Sequence, residues 1–411
     1  MSNPGAVAIA PSPSIPSPDR RAYRLTAIDL LRGLVIVIMA IDHVRDSFLF
    51  GTEQDPMANP HITAGLFATR WITHFCAPVF VLLAGVSAGL MAARKSPRDL
   101  ARFLLTRGLW LIFAEIFIVS NLGTFSPFGI PQAGGLVFAS MQVIWAIGAS
   151  MLVLAALQFL GRPACLAIGL TLLAGHNLLD PVWPASKLTD QQWPLWVALH
   201  SQMALHAGPF LFRFAYPLLP WIGVMSLGFG ISKVFERPAP RRNSILFRAG
   251  LVLISAFLLI RAAGFYGDSN PWQMQPAGIA ATVMDFLNTT KYPPSLDYLL
   301  MTLGPAALLC SFADRITGAV KDTLVMFGRV PFAFYLAHFF LIHLLSICLG
   351  VMQGFTVGQM MTTYRFFPKG YGVGLPAVYG VWALVVLLLY PFCRWVAAVK
   401  ARRRDWWLSY L

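Results

Sequence analysis

The chain has 411 residues, 57% hydrophobic and only 12% charged, with a formal net charge of +14. A soluble domain carries about 25% charged residues, so a water-facing globular surface is excluded; the apolar residues come in blocks of about twenty, the length that crosses a hydrocarbon core of about 30 Å. The Lys and Arg residues stand in short runs between these blocks, not on a basic face interleaved with aromatics, which excludes nucleic acid as a partner.

In chain order, residues 1–19 are rich in Pro, Ser and Ala, and residues 1–23 are expected to form a disordered cytoplasmic tail. Arg20, Arg21 and Arg24 then precede a full-length apolar segment, so the first helix is expected to be retained and not cleaved as a signal peptide. The expected spans are 27–47, 67–92, 102–121, 137–158, 163–178, 211–233, 246–266, 294–312, 324–350 and 376–399. Together they predict an all-α polytopic bundle of about ten helices, occupying 24–400 and followed by a basic cytoplasmic tail over 401–411. The stretch WPLWVALHSQMALHAGPF, within 179–210, is amphipathic and predicts a segment lying on the interface. Five scattered cysteines with no CxxC pair read as packing residues.

Charge gives an independent reading of orientation. With these spans, eighteen Lys and Arg fall on the side that holds both termini, against Lys187, Lys291, Arg365 and Lys369 on the other. Positive residues are retained in the cytoplasm, which puts both ends there. No repeat relates the two halves, unlike many secondary transporters.

Ionisable residues inside spans cost about 2.5–3.5 kcal/mol each at the membrane centre, so each requires a partner or a task. The first span reads RLTAIDLLRGLVIVIMAIDHVRDSF. Asp29 and Arg32, one turn apart, read either as an internal ion pair or as a cation facing a polar cavity. Asp42 and His43 lie towards its outer end. His74 in the second span, His338 and His343 in the ninth, and His61 in the first external loop fall in the same outer half. Membrane histidines often only bridge helices. Four beside an aspartate point to a working site, where neutral imidazole accepts the proton of an amine or hydroxyl nucleophile. No HxxxH or HExxH pair predicts a metal site. Arg329, level with Arg24 and Arg32, reads as a phosphate ligand or as a snorkelling residue. The small-residue run AGVSAGL suits close helix packing.

The segment RLTAIDLLRGLVIVIMAIDH, followed by THFCAPVFVLLAGVSAGL, resembles the opening of the heparan-α-glucosaminide N-acetyltransferase catalytic-domain family. YPLLPWIGVMSLGFGI and FGRVPFAFYLAHFFLIH look like its later landmarks. The resemblance implies ten or eleven helices, acetyl-CoA as acyl donor from the cytoplasm, and an amino-sugar acceptor across the membrane. It also implies a catalytic His in the first non-cytoplasmic loop, for which His61 is the nearest candidate. His43 stands at the family's Asn position and His74 at its acidic position.

Residues and resemblance together give these expectations. His43 or His61 acts as base or acetyl carrier, Asp42 orients the imidazole, and His74 belongs to the same catalytic set. His338 and His343 contact substrate, while Arg24, Arg32 and Arg329 hold the CoA phosphates. The expected partners are membrane lipids and a glycan or amino-sugar acceptor, with a homodimer left open. Two other readings stay open: a transporter or flippase using these groups as a proton relay, and O-acylation of an envelope polysaccharide.

Overall fold

The computed structural model describes residues 20–51, 57, 62–182, 189, 193–403, 405 and 408; the segment 1–19, expected to be disordered, and His61 lie outside them. The long helices are α1 (Arg20–Phe48), α2 (Ala64–Thr73), α3 (Cys76–Met91), α4 (Pro97–Phe113), α5 (Val143–Leu157) and α6 (Gly161–Gly175). A short helix α7 (Trp193–Leu199) leads into α8 (Leu218–Ile231) and α9 (Ala239–Ala263). The chain then forms α10 (Ile279–Leu287), α11 (Leu296–Phe312), α12 (Ala319–Arg329), α13 (Pro331–Met352) and α14 (Leu375–Arg402).

Among the described residues, eight helical runs are long and apolar enough to cross a membrane. Each expected span falls largely on one of these runs or on α1. The 39-residue run Val143–Pro181 carries two of them; Gly161, at φ 85°, breaks it between α5 and α6.

Three boundaries differ from expectation. The fourth and sixth spans were drawn from 137 and 211, where the chain instead forms strands β1 (Val137–Met141) and β3 (Phe210–Phe214). Together with β2 (Met203–Ala207) these make one sheet in the order β1-β3-β2, with β1 parallel and β2 antiparallel to β3. The FLFRF of β3 alternates Phe with Leu or Arg, a strand period that a hydropathy average hides. The stretch 193–210, expected to lie on the interface, is a short helix followed by strand. Finally, the expected span 324–350 is two helices broken at Val330 (φ −129°, ψ 46°), because Pro331 disfavours helical geometry in the residue before it.

Close helix approach depends on glycine. A Cβ at Gly33 of α1 would lie 1.8 Å from the Leu324 carbonyl oxygen of α12, and one at Gly328 would lie 1.8 Å from the Asp29 carbonyl oxygen. The pairs run in opposite order, so α12 lies antiparallel to the first half of α1. In the AGVSAGL run, Gly85 meets the Met225 carbonyl of α8 in the same way, which is the packing use expected of it.

The break between α2 and α3 has a simple cause. Pro78 has no N–H to give the carbonyl four residues back, which belongs to His74. The Tyr298 hydroxyl of α11 donates to that carbonyl instead, at 2.7 Å. A freed backbone group at membrane depth is thus satisfied by a neighbouring helix.

Candidate functional site

Where α1 ends, the bundle encloses a cavity of about 190 Å³. Asp42, His43 and Asp46 of α1 form one wall, Cys76, Ala77 and Phe80 of α3 another, and Phe339, Ile342 and His343 of α13 a third. Ser140 of β1 and Arg213 of β3 bring the sheet to its edge, and Lys291, Tyr292 and Thr363 to Arg365 come from loops.

Asp42 is the hub. Its Oδ1 lies 2.8 Å from Arg45 Nη1 and accepts from the Thr73 hydroxyl at 2.9 Å. Arg70 Nη1 reaches both oxygens, at 3.2 and 3.1 Å, and Lys291 Nζ stands 3.6 Å from Oδ2. Arg45 also pairs with Asp46 at 2.5 Å. Arg45, Arg70 and Lys291 are all buried, so removal of Asp42 would leave desolvated cations short of a counter-charge. No hydrogen bond joins Asp42 to His43 among the described residues; the carboxylate is engaged by cations.

Lys291 is placed by a separate buried staple. Arg261 donates to the carbonyls of Phe286, Asn270, Asp285 and Asn288 at 2.7–3.3 Å. Asp268 accepts from the Thr290 amide (2.8 Å), the Thr290 hydroxyl (2.6 Å) and the Ser295 hydroxyl (2.6 Å). The loop between α9 and α11 is thereby fixed on both sides of Lys291. On the far side of the cavity, the Tyr371 hydroxyl donates to the Ser47 carbonyl at 2.9 Å, and Val373 N donates to Phe48 O at 2.7 Å. These bonds hold the loop that carries Tyr364 and Arg365 against the end of α1. Burial pushes the Tyr364 hydroxyl above its ordinary range, so it remains a proton donor at neutral pH.

His43 faces the cavity with its ring 5.1 Å from that of His338 and 4.5 Å from that of Phe339. His343 lines the same cavity, 4.6 Å from the Phe125 ring, and its Nε2 has no hydrogen-bond partner. His338 is fully buried one layer behind, Nδ1 held by the Tyr335 carbonyl and Nε2 without a partner. His74 is also buried behind the wall, 5.4 Å ring to ring from Tyr298. Of the residues singled out in the sequence, Asp42, His43 and His343 therefore share the cavity, and His74 and His338 support it.

The second expected cluster stands at the other end of α1, about 20 Å away at 1.5 Å per residue. Arg32 donates to Asp29 (3.1 Å), Ser87 (3.1 Å) and the Gly328 carbonyl (3.4 Å), an arrangement that locks three helices together. Arg329 is 62% exposed and only 3.8 Å from Asp29. Arg24 lies in the first turns of α1, and its side chain lies outside the described residues.

Sequence reading overlooked Arg45, Arg70 and Lys291 as site residues. Arg45 had a visible signal, since it follows Asp42 at the same three-residue spacing as Arg32 follows Asp29. Glu115, which does not line the cavity, was passed over as a buried ionisable group. It is fully buried in a π-helical turn (Ala114–Val119), and its Oε2 accepts from the Trp145 amide at 3.1 Å at the start of α5.

The family model for heparan-alpha-glucosaminide N-acetyltransferase, catalytic, matches residues 24–263. The chain belongs to this family. The matched segment runs from α1 to the end of α9 and contributes Asp42, His43, Arg45, Arg70 and Arg213 to the cavity of this membrane acetyltransferase-like protein. Lys291, His343 and Arg365 come from beyond it, so the cavity joins the matched segment to the rest of the bundle. No curated protein matches the chain.

Proposed function

We propose that the protein transfers an acetyl group from acetyl-CoA to an amino sugar or cell-envelope glycan, and that the transfer takes place in this cavity. In this reading both termini are cytoplasmic in a bacterial inner membrane, CoA enters from their side, and the cavity faces the acceptor. The observation that carries the reading is the meeting of two imidazoles, His43 and His343, in one cavity of a family named for N-acetyl transfer.

His43 accepts the proton of the acceptor amine as its nitrogen attacks the thioester carbonyl carbon. The carbon–sulfur bond breaks, and CoA leaves as the thiol, carrying the proton that His43 returns. The cationic wall of Arg45, Arg70 and Lys291 favours the negative charge that gathers on the carbonyl oxygen in the transition state. At the opposite end, exposed Arg329, Lys400 close to its carbonyl (3.5 Å) and Arg107 over the Phe332 ring (5.7 Å) offer cations to the CoA phosphates.

The test is acetyl-CoA binding to purified, detergent-solubilised protein, followed by the fate of radiolabelled acetyl. Saturable binding with His43-dependent release of CoA supports the reading. A folded, monodisperse protein that neither binds acetyl-CoA nor releases CoA refutes it.

A further inference from the structure

We propose that His338 is the positioning residue of the transfer: its Nε2 accepts the ring N–H of His43 and so holds the opposite nitrogen of His43 bare towards the cavity. The catalytic consequence rests on the acetyltransferase reading; the hydrogen bond itself rests on side-chain geometry.

The partners of His338 settle its tautomer. Nδ1 lies 2.5 Å from the Tyr335 carbonyl oxygen and 3.2 Å from that of Phe334. A carbonyl can only accept, so neutral His338 carries its proton on Nδ1, and its Nε2 is an acceptor. That Nε2 is buried and has no hydrogen-bond partner. The Nδ1 bond and stacking on the Phe334 ring, 5.6 Å between centres, already fix the side chain. Packing alone gives the second nitrogen no role, yet an unsatisfied buried acceptor is costly and rare in native cores.

His43 supplies the missing donor. Its ring centre is 5.1 Å from that of His338. Two imidazoles joined by an N–H···N bond of about 3 Å, each nitrogen about 1.1 Å from its ring centre, stand about 5.2 Å apart. The two rings are therefore already at the separation of a bonded pair. A turn of His43 about χ2, a soft torsion, aims its N–H at Nε2. The bond made by one imidazole nitrogen decides which nitrogen carries the proton; here it leaves the cavity-facing nitrogen free to act as base. Asp42, the expected partner of His43, is engaged by Arg45, Arg70, Lys291 and Thr73 instead. Those three cations oppose a positive charge on His43, so the imidazolium formed during transfer needs a nearby acceptor, and His338 provides it. His338 keeps its own proton throughout. The amine proton stays on the cavity-facing nitrogen of His43 until it is returned to the CoA sulfur.

The experiment uses the full-length protein in detergent with acetyl-CoA and glucosamine. In reach, an Asn amide matches Nδ1 of histidine and a Gln amide matches Nε2. H338N therefore keeps a donor for the Tyr335 carbonyl and loses the acceptor, whereas H338Q keeps the acceptor and loses that donor. H338N should lower kcat by about 10²-fold, with KM for glucosamine within about three-fold, while H338Q stays within about five-fold of wild type in kcat. Equal losses in the two variants, a loss confined to KM, or a normal kcat in H338N overturns the proposal and leaves acetyl transfer standing. NMR of wild-type protein carrying 15N-histidine reads the bond without turnover and whether or not the variants fold. His43, assigned by the signals that H43Q lacks, should show one protonated and one bare nitrogen, with scalar coupling from its N–H nitrogen to Nε2 of His338. A His43 ring that exchanges between tautomers with no such coupling overturns the proposal. A coupled pair in a protein that transfers no acetyl group keeps the hydrogen bond and counts against the transferase reading alone.

Discussion

The two ends of α1 carry the same motif to different ends. Asp29–Arg32 and Asp42–Arg45 are both Asp–Arg pairs one turn apart, at 3.1 and 2.8 Å. At the first end Arg32 also binds a serine and a backbone carbonyl, and glycines draw α12 against α1. At the second end two more cations join the pair, and a cavity takes the space that a neighbouring helix fills at the first. A short-range ion pair thus serves as a helix clamp where packing is tight, and as the floor of a cationic site where packing opens. The difference lies in what the rest of the fold brings to each end, not in the pair.

The largest expected effect tests whether the open end is chemical. His43→Gln should lower the rate of acetyl transfer by about 10²–10⁴-fold, the usual range for a general base, with no loss of folded protein. His343→Gln in parallel assigns the roles, because a merely substrate-contacting imidazole raises KM more than it lowers kcat. If His43→Gln turns over normally, the catalytic part of the contrast fails.

Asp42→Asn against Asp29→Asn measures the electrostatic difference directly. Loss of Asp42 leaves Arg45, Arg70 and Lys291 under-compensated while buried, and should cost about 3–5 kcal/mol. Loss of Asp29 leaves a partly exposed Arg32 with its serine and carbonyl partners, and should cost about 1–2 kcal/mol. The readout is the temperature at which each variant stops being monodisperse in detergent. Equal losses would show that the extra cations around Asp42 are immaterial.

Gly33→Ala tests the packed end. A methyl group 1.8 Å from the Leu324 oxygen must push α12 away, at about 1–3 kcal/mol for overpacking. Thermal stability should fall while the Kd for an amino-sugar acceptor at the far cavity stays within two-fold. A comparable loss of sugar binding would mean that the two ends are not independent.

The same contrast explains what could be read from the sequence. Helices were legible because hydropathy over twenty residues survives any detail of packing; every expected span lies largely on helical residues. Strands β1 and β3 were not, because five-residue runs as apolar as VFASM and FLFRF merge into the helices that follow them. Within the site, Asp42, His43 and His343 were found because buried ionisable groups are conspicuous on helices. Arg70 and Lys291 were missed because their role depends on contacts 28 and 249 positions away in the chain, with Asp42 in both cases. Lys291 was counted as an ordinary external loop cation; only the buried Arg261 and Asp268 staple turns that loop towards the cavity.

The smallest expected effect concerns the helix break beside the cavity. Pro78 leaves the His74 carbonyl without its helical donor, and the Tyr298 hydroxyl replaces it at 2.7 Å. Tyr298→Phe removes that donor while keeping the ring packed against His74, so a buried carbonyl goes unsatisfied at about 1–3 kcal/mol. If Pro78 creates the need for Tyr298, Pro78→Ala should restore the backbone donor and recover most of the loss in the double variant. Both changes leave Asp42 and its cations in place, so the affinity for an amino-sugar acceptor should stay within two-fold of wild type. A double variant as unstable as Tyr298→Phe alone would mean that Tyr298 stabilises α3 through its ring contacts, and that the break is imposed by packing around His74 rather than by the missing amide.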